Sequence, residues 1–488
     1  MFRAGAGIFF AAVLSSGAVQ AAPAQDAKAV LSAAEKAMGA DGLSSIKMWG
    51  SGANYQIGQS NHANGPWPRT NVNDYVRAID FTQPASRATG TTVAVAVTGG
   101  NAITAPYNRT IAPNTAGWDA QLEIWTTPWG FLKGAEQNHA TVATQAMNGK
   151  TYRVVTWMTP MKAPSGIPYK VVGYIGPRNL VDRVDTWVEN PVLGDVKVEN
   201  FYTDYRDGAN GLKFPSTILQ KRDGQAAFDA QILGVQANPD NLAQLLTQPP
   251  RAGGGGPPGG PPGGAAGPAS EKLADGVYRL KGAYNALAVE FRDYVVLFEP
   301  GPQNEARAQA IIAETKRVIP GKPIRYGVIS HHHFDHTGGL TGVVAEGITI
   351  VAHQDNADFI RRALSAPRTL APDAMSKSGK KPKVQAIGDK YVFTDGTRTF
   401  EIHRIKGLPH ADGLVVGWLP KEKILVYADM FNLPTAAEPV PNPPVYGTKV
   451  FVDNLERLHI EPERILSIHS LNPDRLATMQ DIRGSMGK

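Results

Sequence analysis

The sequence predicts a chain of mixed α and β structure, organised as a mainly antiparallel β unit followed by a layered α/β unit. Two observations carry this reading. A tract built almost wholly of Gly and Pro, from Pro249 to Pro268, divides the chain, because such a segment buries no apolar area and forbids regular pairing. The periodicity also changes across it: period-two alternation dominates before the tract, whereas apolar strands and a helical stretch take turns after it. The divisions expected are 1–22, 23–248, a linker over 249–269, and 270–488.

At 488 residues the chain is long enough for two or three domains, each with its own core. Its first residues place Arg3 ahead of a short apolar run, Ile8 to Leu14, and an Ala-rich end near Ala21, Ala22 and Ala24. These are the parts of a cleaved secretory signal over 1–22, so a periplasmic or secreted protein is expected, with no stable membrane insertion. There is no cysteine, which excludes disulfides and all thiolate chemistry and leaves His, Asp and Glu to hold any transition metal. The net charge of +6 is spread thinly. The one dense basic cluster, Lys377, Lys380, Lys381 and Lys383, lacks interleaved aromatics and reads as a solvated loop, so no nucleic-acid partner is expected.

In the first unit, Ala29, Val30, Ala33, Ala34, Ala37 and Met38 recur at helical spacing between Asp26 and Gly39. Strands are expected at Tyr75 to Phe81, Thr91 to Val97, Tyr152 to Met158, Tyr169 to Ile175, Asp182 to Val188 and Lys197 to Tyr205. Two more, around Phe214 to Leu219 and Ala227 to Ile232, complete a meander. The pattern weakly resembles the curved half-barrel sheets of periplasmic lipoprotein-carrier domains. In the second unit, Gly276 to Leu280, Ala286 to Phe291 and Tyr294 to Phe298 read as strands, Glu305 to Val318 as a helix and Ile324 to Ser330 as a further strand. Function is then expected in the loops at strand ends.

One such loop carries the strongest signal. Ser330 to Gly339 contains His331-x-His333-x-Asp335-His336, directly after a strand. On a tight loop His331 and His333 can face one ion while Asp335 and His336 turn to a second, and imidazole with carboxylate suits zinc and other borderline divalent ions. Gly338 and Gly339 let the chain leave the loop sharply. Downstream, His410 precedes the strand Leu414 to Leu419, Asp429 ends the strand Ile424 to Ala428, and His469 ends the strand Arg464 to Ile468. A metal-ligand type therefore recurs at strand termini.

With these residues in place, 270–488 resembles the metallo-β-lactamase superfamily, which implies an αββα sandwich. The resemblance implies that His331, His333 and His410 hold one ion, that Asp335, His336 and His469 hold the other, and that Asp429 bridges the two. A bridging aspartate is typical of the hydroxyacylglutathione-hydrolase-like, lactonase and phosphodiesterase branches and counts against a lactam specialist. Where the family usually has an aspartate at the end of the early buried strand, this chain has Glu299, so no ligand role is assigned to it.

The expectation is an exported metallo-hydrolase with two divalent ions, zinc by preference. Hydroxide generated on the ions would attack an ester, lactone or thioester in a small-molecule substrate, and Asp335 would double as the catalytic group that orients the nucleophile. The alternatives are phosphodiesterase or β-lactamase activity, or an iron-dependent oxidoreductase on the same fold. His332 and Phe334 read as pocket walls or packing, His353 and His403 as structural, and Asp412 as either an orienting carboxylate or a turn residue. The stretch from Arg361 to Lys390 is a candidate lid. Since the ligand types all follow the linker, 270–488 is expected to be chemically competent alone. The first unit, with only His62 and His139, would then serve substrate access, partner binding or assembly into a homo-oligomer.

Overall fold

A computed structural model describes residues 27–94, 103–113, 117–248, 270–433 and 445–486. The expected signal segment and the Gly/Pro linker lie outside the described residues, as does the end of the strand expected at Thr91 to Val97.

The first unit opens with the expected helix, Ala27–Met38, whose Val30, Leu31, Ala34 and Met38 are buried. Eleven strands follow: β1 Ser45–Tyr55, β2 Arg69–Asp80, β3 Ala85–Ala94, β4 Ile103–Ile111, β5 Thr141–Met147, β6 Lys150–Lys162, β7 Pro168–Ile175, β8 Val181–Asn190, β9 Gly194–Asp207, β10 Lys213–Arg222 and β11 Gln225–Ala237. They form one sheet in the order β4-β3-β2-β1-β11-β10-β9-β8-β7-β6-β5. Every described pairing within it is antiparallel. Register shifts interrupt β1 at Trp49/Gly50 and β2 between Asn73 and Val76, where bulges increase local twist and bend.

Two helices that period-two reading does not foresee, Trp118–Trp125 and Pro128–Gln137, fill this sheet. Their aromatic residues do the packing: Trp118 stacks on Tyr169 and meets Trp157 edge-on, and Phe131 also lies against Trp157. Gly173 and Gly134 are required here, since a Cβ at either would come within 2.1 Å of Phe131 or 2.4 Å of Trp157.

The second unit is an αββα sandwich. Strands β12 Ser270–Ala274, β13 Val277–Leu280, β14 Ala286–Glu290, β15 Val295–Phe298, β16 Ile324–Val328, β17 Thr349–His353 and β18 Val384–Ile387 form one sheet in sequence order. It is antiparallel through β15 and parallel from β15 to β18. Strands β19 Lys390–Thr394, β20 Thr399–Arg404, β21 Val415–Leu419, β22 Ile424–Tyr427 and β23 Arg464–Ser467 form the other, with only β22 and β23 parallel. Strand β15 is buried at every position because it is covered on both faces. Val296, Phe298, Val328 and Val351 of the first sheet meet Phe400, Ile402, Val415, Val426 and Leu466 of the second in a core between the layers. Helix Tyr446–Leu458 packs on the outer face of the second sheet through Val450, Phe451 and Leu455.

The outer face of the seven-stranded sheet does not end at its own helices. Leu297, Ile311, Val343 and Phe359 belong to one continuous buried cluster with Trp118, Trp157 and Val184 of the first unit. The Gly/Pro tract led us to expect two bodies joined only by a tether; the packing adds a broad shared core to that connection. The segment expected as a lid is part of it. Arg368 donates to the carbonyls of Pro191 at 3.1 Å, Val192 at 2.9 Å and Ala363 at 3.0 Å and pairs with Asp373 at 3.0 Å, while Asp195 accepts from Thr369 and Leu370. In place of a lid, this stretch is a clamp, because its buried guanidinium takes acceptors from both units: the Pro191 and Val192 carbonyls of the first, and the Ala363 carbonyl and Asp373 carboxylate of the second.

Removing that guanidinium leaves two first-unit carbonyls, those of Pro191 and Val192, the Ala363 carbonyl of the second unit and the Asp373 carboxylate without this partner. Arg368→Ala should therefore cost about 3 kcal/mol of stability, with Arg368→Lys recovering only part of it because ammonium cannot reproduce the planar fork. Urea unfolding of the full chain measures this, and an unchanged midpoint would remove the clamp from the account.

Candidate metal centre

Five strand ends of the second unit converge. His331 and His333 leave the end of β16, and Asp335 and His336 sit on the single helical turn Phe334–Thr337 that follows. His410 lies in the loop entering β21, Asp429 just beyond β22 and His469 just beyond β23. Asp429 and Glu299, which follows β15, both hold left-handed backbone, at φ +57° and +60°. For residues with a Cβ this costs roughly 1 kcal/mol or more and persists where surroundings over-determine the position.

All seven residues singled out as ligands come together. The ligand atoms of His331, His333 and His410 lie within 4.8 Å of one another, as do those of His331, His336 and Asp429, and those of Asp335, His336 and His469. Asp429 is central: its Oδ2 lies 3.6 Å from His331 Nε2, 3.8 Å from His410 Nε2 and 2.9 Å from His336 Nε2, and its Oδ1 lies 2.9 Å from His469 Nε2. His469 Nε2 is 3.2 Å from His336 Nε2 and 3.7 Å from Asp335 Oδ2.

The outer contacts of the rings test whether the cluster fits a metal. His331 Nε2, His333 Nδ1 and His410 Nε2 are buried and have no hydrogen-bond partner among the described residues. Burial of such nitrogens without compensation is costly, and three of them facing one point is what a cation would relieve. Their far sides are fixed. His333 Nε2 donates to the Ser60 carbonyl at 3.0 Å, which leaves the Nδ1 lone pair of a neutral ring facing inward. His336 Nδ1 donates to Glu299 Oε2 at 2.6 Å, which turns Nε2 toward Asp335, Asp429 and His469. His331 Nδ1 lies 2.9 Å from Ser330 Oγ.

The electrostatics agree. Burial lowers His331 far below the ordinary imidazole range, and burial together with the nearby His410 takes His333 down to about 3, so both rings are neutral, the form that a metal ligand needs. Burial also opposes charge on His336, but the carboxylates of Asp429, Glu299 and Asp335 overcome it and raise that ring well above its usual range. Asp429 and Asp335 are both desolvated, yet His336 holds both carboxyls below the usual range, so both are anions.

Several positioning groups were not legible in the sequence. Glu299, left without a role, is fully buried and also accepts from Ser330 N at 2.5 Å, so it orients both His336 and the start of the histidine loop. Tyr284 donates to Asp335 Oδ2 at 2.9 Å, and its ring centre lies 4.4 Å from that of His469. Gln59 Nε2 donates to Asp335 Oδ1 at 2.8 Å. No spacing or motif announces Gln59 or Ser60. They belong to the first unit, in the turn after β1, so groups that touch the cluster come from outside 270–488 as well as from within it. The same turn explains other residues. Gly58, at φ +80°, sits where a Cβ would come within 2.2 Å of Phe334, and His62 pairs with Asp412 at 2.6 Å. His332 donates to the Ser60 carbonyl at 2.8 Å, lies 3.0 Å from Asn356 Oδ1 through its other nitrogen and packs beside Phe359. His353 caps helix Gln354–Ser365, and His403 pairs with Glu401 at 2.7 Å; both are structural.

Comparison with known proteins places this geometry in a class. Residues 280–460 match the family model of the metallo-beta-lactamase superfamily, and the second unit of this chain carries a domain of that superfamily. The superfamily includes hydrolases and oxidoreductases, and membership points to a metallo-enzyme. Solved structures similar to the second unit include a metallo-beta-lactamase from Pontibacter korlensis, at 16% identity over 45% of this chain and 97% of that one, TM-score 0.32. They also include one from Hirschia baltica, at 19% over 45% and 96%, TM-score 0.32, and rubredoxin oxygen:oxidoreductase from Desulfovibrio gigas, at 19% over 45% and 60%, TM-score 0.33. No curated protein matches the sequence.

Two consequences of the first unit's contribution are measurable. Gln59→Ala removes a neutral donor to the Asp335 carboxylate and should weaken metal binding roughly tenfold without unfolding the chain, the range found for partners of metal ligands; competition against a chromogenic chelator reads it. Residues 270–488 expressed alone lose both Gln59 and the Ser60 carbonyl and expose the shared core, so the fragment should aggregate or bind metal at least tenfold more weakly. A soluble fragment with full affinity would show that the turn after β1 is dispensable.

Proposed function

We propose that this protein is a dinuclear metal-dependent hydrolase acting on a carboxylic ester, lactone or thioester of a small molecule. The observation that carries the reading is the set of unpartnered, inward-facing nitrogens of His331, His333 and His410 next to the anionic Asp429. In this proposal His331, His333 and His410 hold one ion, Asp335, His336 and His469 the other, and Asp429 both. Bound divalent ions supply a water nucleophile active at neutral pH and a Lewis acid for the carbonyl oxygen.

The rest is the work of the chain. Asp335 is held through both oxygens, by Gln59 on one side and Tyr284 on the other. Burial and the Asp335 charge push the Tyr284 hydroxyl above its ordinary range, so it remains a donor through the neutral range and keeps Asp335 aimed. A carboxylate so fixed can accept a hydrogen bond from the attacking nucleophile and orient it without rotating away. Glu299 accepts from His336 Nδ1 and fixes the orientation of that ring, and the Ser60 carbonyl fixes both orientation and tautomer for His333. The donor set contains no thiolate, which favours zinc or another borderline divalent ion held by N and O.

We also propose that the mature protein is exported to the periplasm or beyond. The basic, apolar and small-residue order of its first residues supports this. Among the described residues, no helix is long and apolar enough to cross a membrane.

Elemental analysis of the purified chain should find about two zinc-like ions. Asp335→Ala and His410→Ala should each lower turnover of a chromogenic ester or lactone by at least a hundredfold while circular dichroism is unchanged, and His403→Ala should cost only about 1 kcal/mol of stability. A single iron per chain with oxygen consumption in place of hydrolysis would sink the hydrolase reading in favour of an oxidoreductase.

A further inference from the structure

The first unit contains a cavity of about 190 Å³, walled by the sheet and by the two helices that fill it. Its charges do not balance. Arg77 is almost fully buried and pairs with Glu123, and Arg109, half exposed, pairs with the other oxygen of the same carboxylate at 2.5 Å. Arg222, also on the lining, is occupied by Asp119 at 2.7 Å. Two guanidinium groups thus share one carboxylate in a setting where an uncompensated charge is expensive. Its donors are also in excess. Arg77 Nε and Trp129 Nε1 are buried on the lining without a hydrogen-bond partner among the described residues. Trp129 is 2% exposed, and the indole N–H can only donate. A network built solely to stabilise the fold would use these donors, because each unpaired one costs about 1 to 3 kcal/mol.

The remaining walls are apolar and aromatic. Tyr75 and Phe228 lie 5.8 Å apart between ring centres with the Arg77 guanidinium beside both, and Met48, Ile57 and Ile218 also line the space. We propose that this cavity binds a small organic carboxylate with a compact, ring-sized apolar body. Its acid group meets the surplus guanidinium charge and the unpaired donors, and its body lies against the aromatic wall. The volume sets the size: a cavity of roughly 150 Å³ holds a benzene ring, whereas drug-sized ligands occupy roughly 300 Å³ or more. The site is distinct from the metal centre but next to it in the chain. Ile57 lines the cavity, Gly58 packs on Phe334 and Gln59 holds Asp335, so three consecutive residues run from one site to the other.

The test is calorimetric titration of the full chain, stripped of metal and desalted so that carboxylate binding at the metal centre cannot contribute. The probes are benzoate, hexanoate and, as an uncharged molecule of similar size, benzyl alcohol. Benzoate or hexanoate should bind saturably at one site per chain, with benzyl alcohol at least tenfold weaker. Arg109→Gln, a change at a half-exposed position, and Ile218→Trp, which fills the space and leaves every charge in place, should each weaken binding at least tenfold. The proposal is overturned if neither acid binds saturably, if benzyl alcohol binds as well as the acids, or if binding survives both substitutions.

Discussion

The carbonyl of Ser60 is the contact on which the site most depends. It accepts from His333 Nε2 and from His332 Nε2, two adjacent rings of the histidine loop that are both buried. A carbonyl can only accept, so it imposes the Nε2–H tautomer on His333 and directs the remaining lone pair to the cluster. It also anchors His332, and with it the loop. Because Ser60 lies in the first unit, the orientation of these rings in the second depends on how the two are docked, and the shared core and the Arg368 clamp hold the units together.

The sandwich supplies the rest of the site by topology. Parallel pairing of β15, β16 and β17 sends the ends of β15 and β16 to one edge, and parallel pairing of β22 and β23 does the same in the facing sheet. Side chains just past these ends can turn inward over the edge of the sandwich, which is why Glu299, the histidine loop, Asp429 and His469 meet there. The left-handed backbone of Glu299 and Asp429 is the local cost of aiming two carboxylates back over their own strands. The cluster then organises itself by charge: carboxylates surround His336 and hold it in place, while His331 and His333 are kept neutral by burial.

The first unit is therefore more than a passenger. Without a disulfide, its stability comes from packing, most densely where Trp118, Phe131 and Trp157 meet. Its bulged strands make room for the two helices and leave beside them a cavity with more positive charge and more donors than its own residues satisfy. The turn after β1 connects that cavity to the metal cluster, so the exit of a single strand serves both sites.

Much of this was legible in the sequence, and for physical reasons. Alternation and apolar runs record which faces are buried, so the strands from Tyr152 onward and the helix Glu305–Val318 could be read directly. The cluster from His331 to His336 could also be read, because its members are neighbours in the chain; His410, Asp429 and His469 stood out as metal-ligand types at strand termini, and the family resemblance implied how the seven would be shared between two ions. The helices Trp118–Trp125 and Pro128–Gln137 could not, because their residues, including buried Gln121 and the buried glycines 130 and 134, follow no clean helical stripe. Gln59, Ser60 and Tyr284 could not either. An amide, a backbone carbonyl and a phenol carry no signature, and their roles exist only because docking brings the turn after β1 within 2.8 Å of a carboxylate 276 positions away. By itself the sequence determined which side chains are able to bind metal. The tertiary structure decided which tautomers they adopt and which unit holds them, because both depend on hydrogen bonds between residues that are neighbours only in the folded chain.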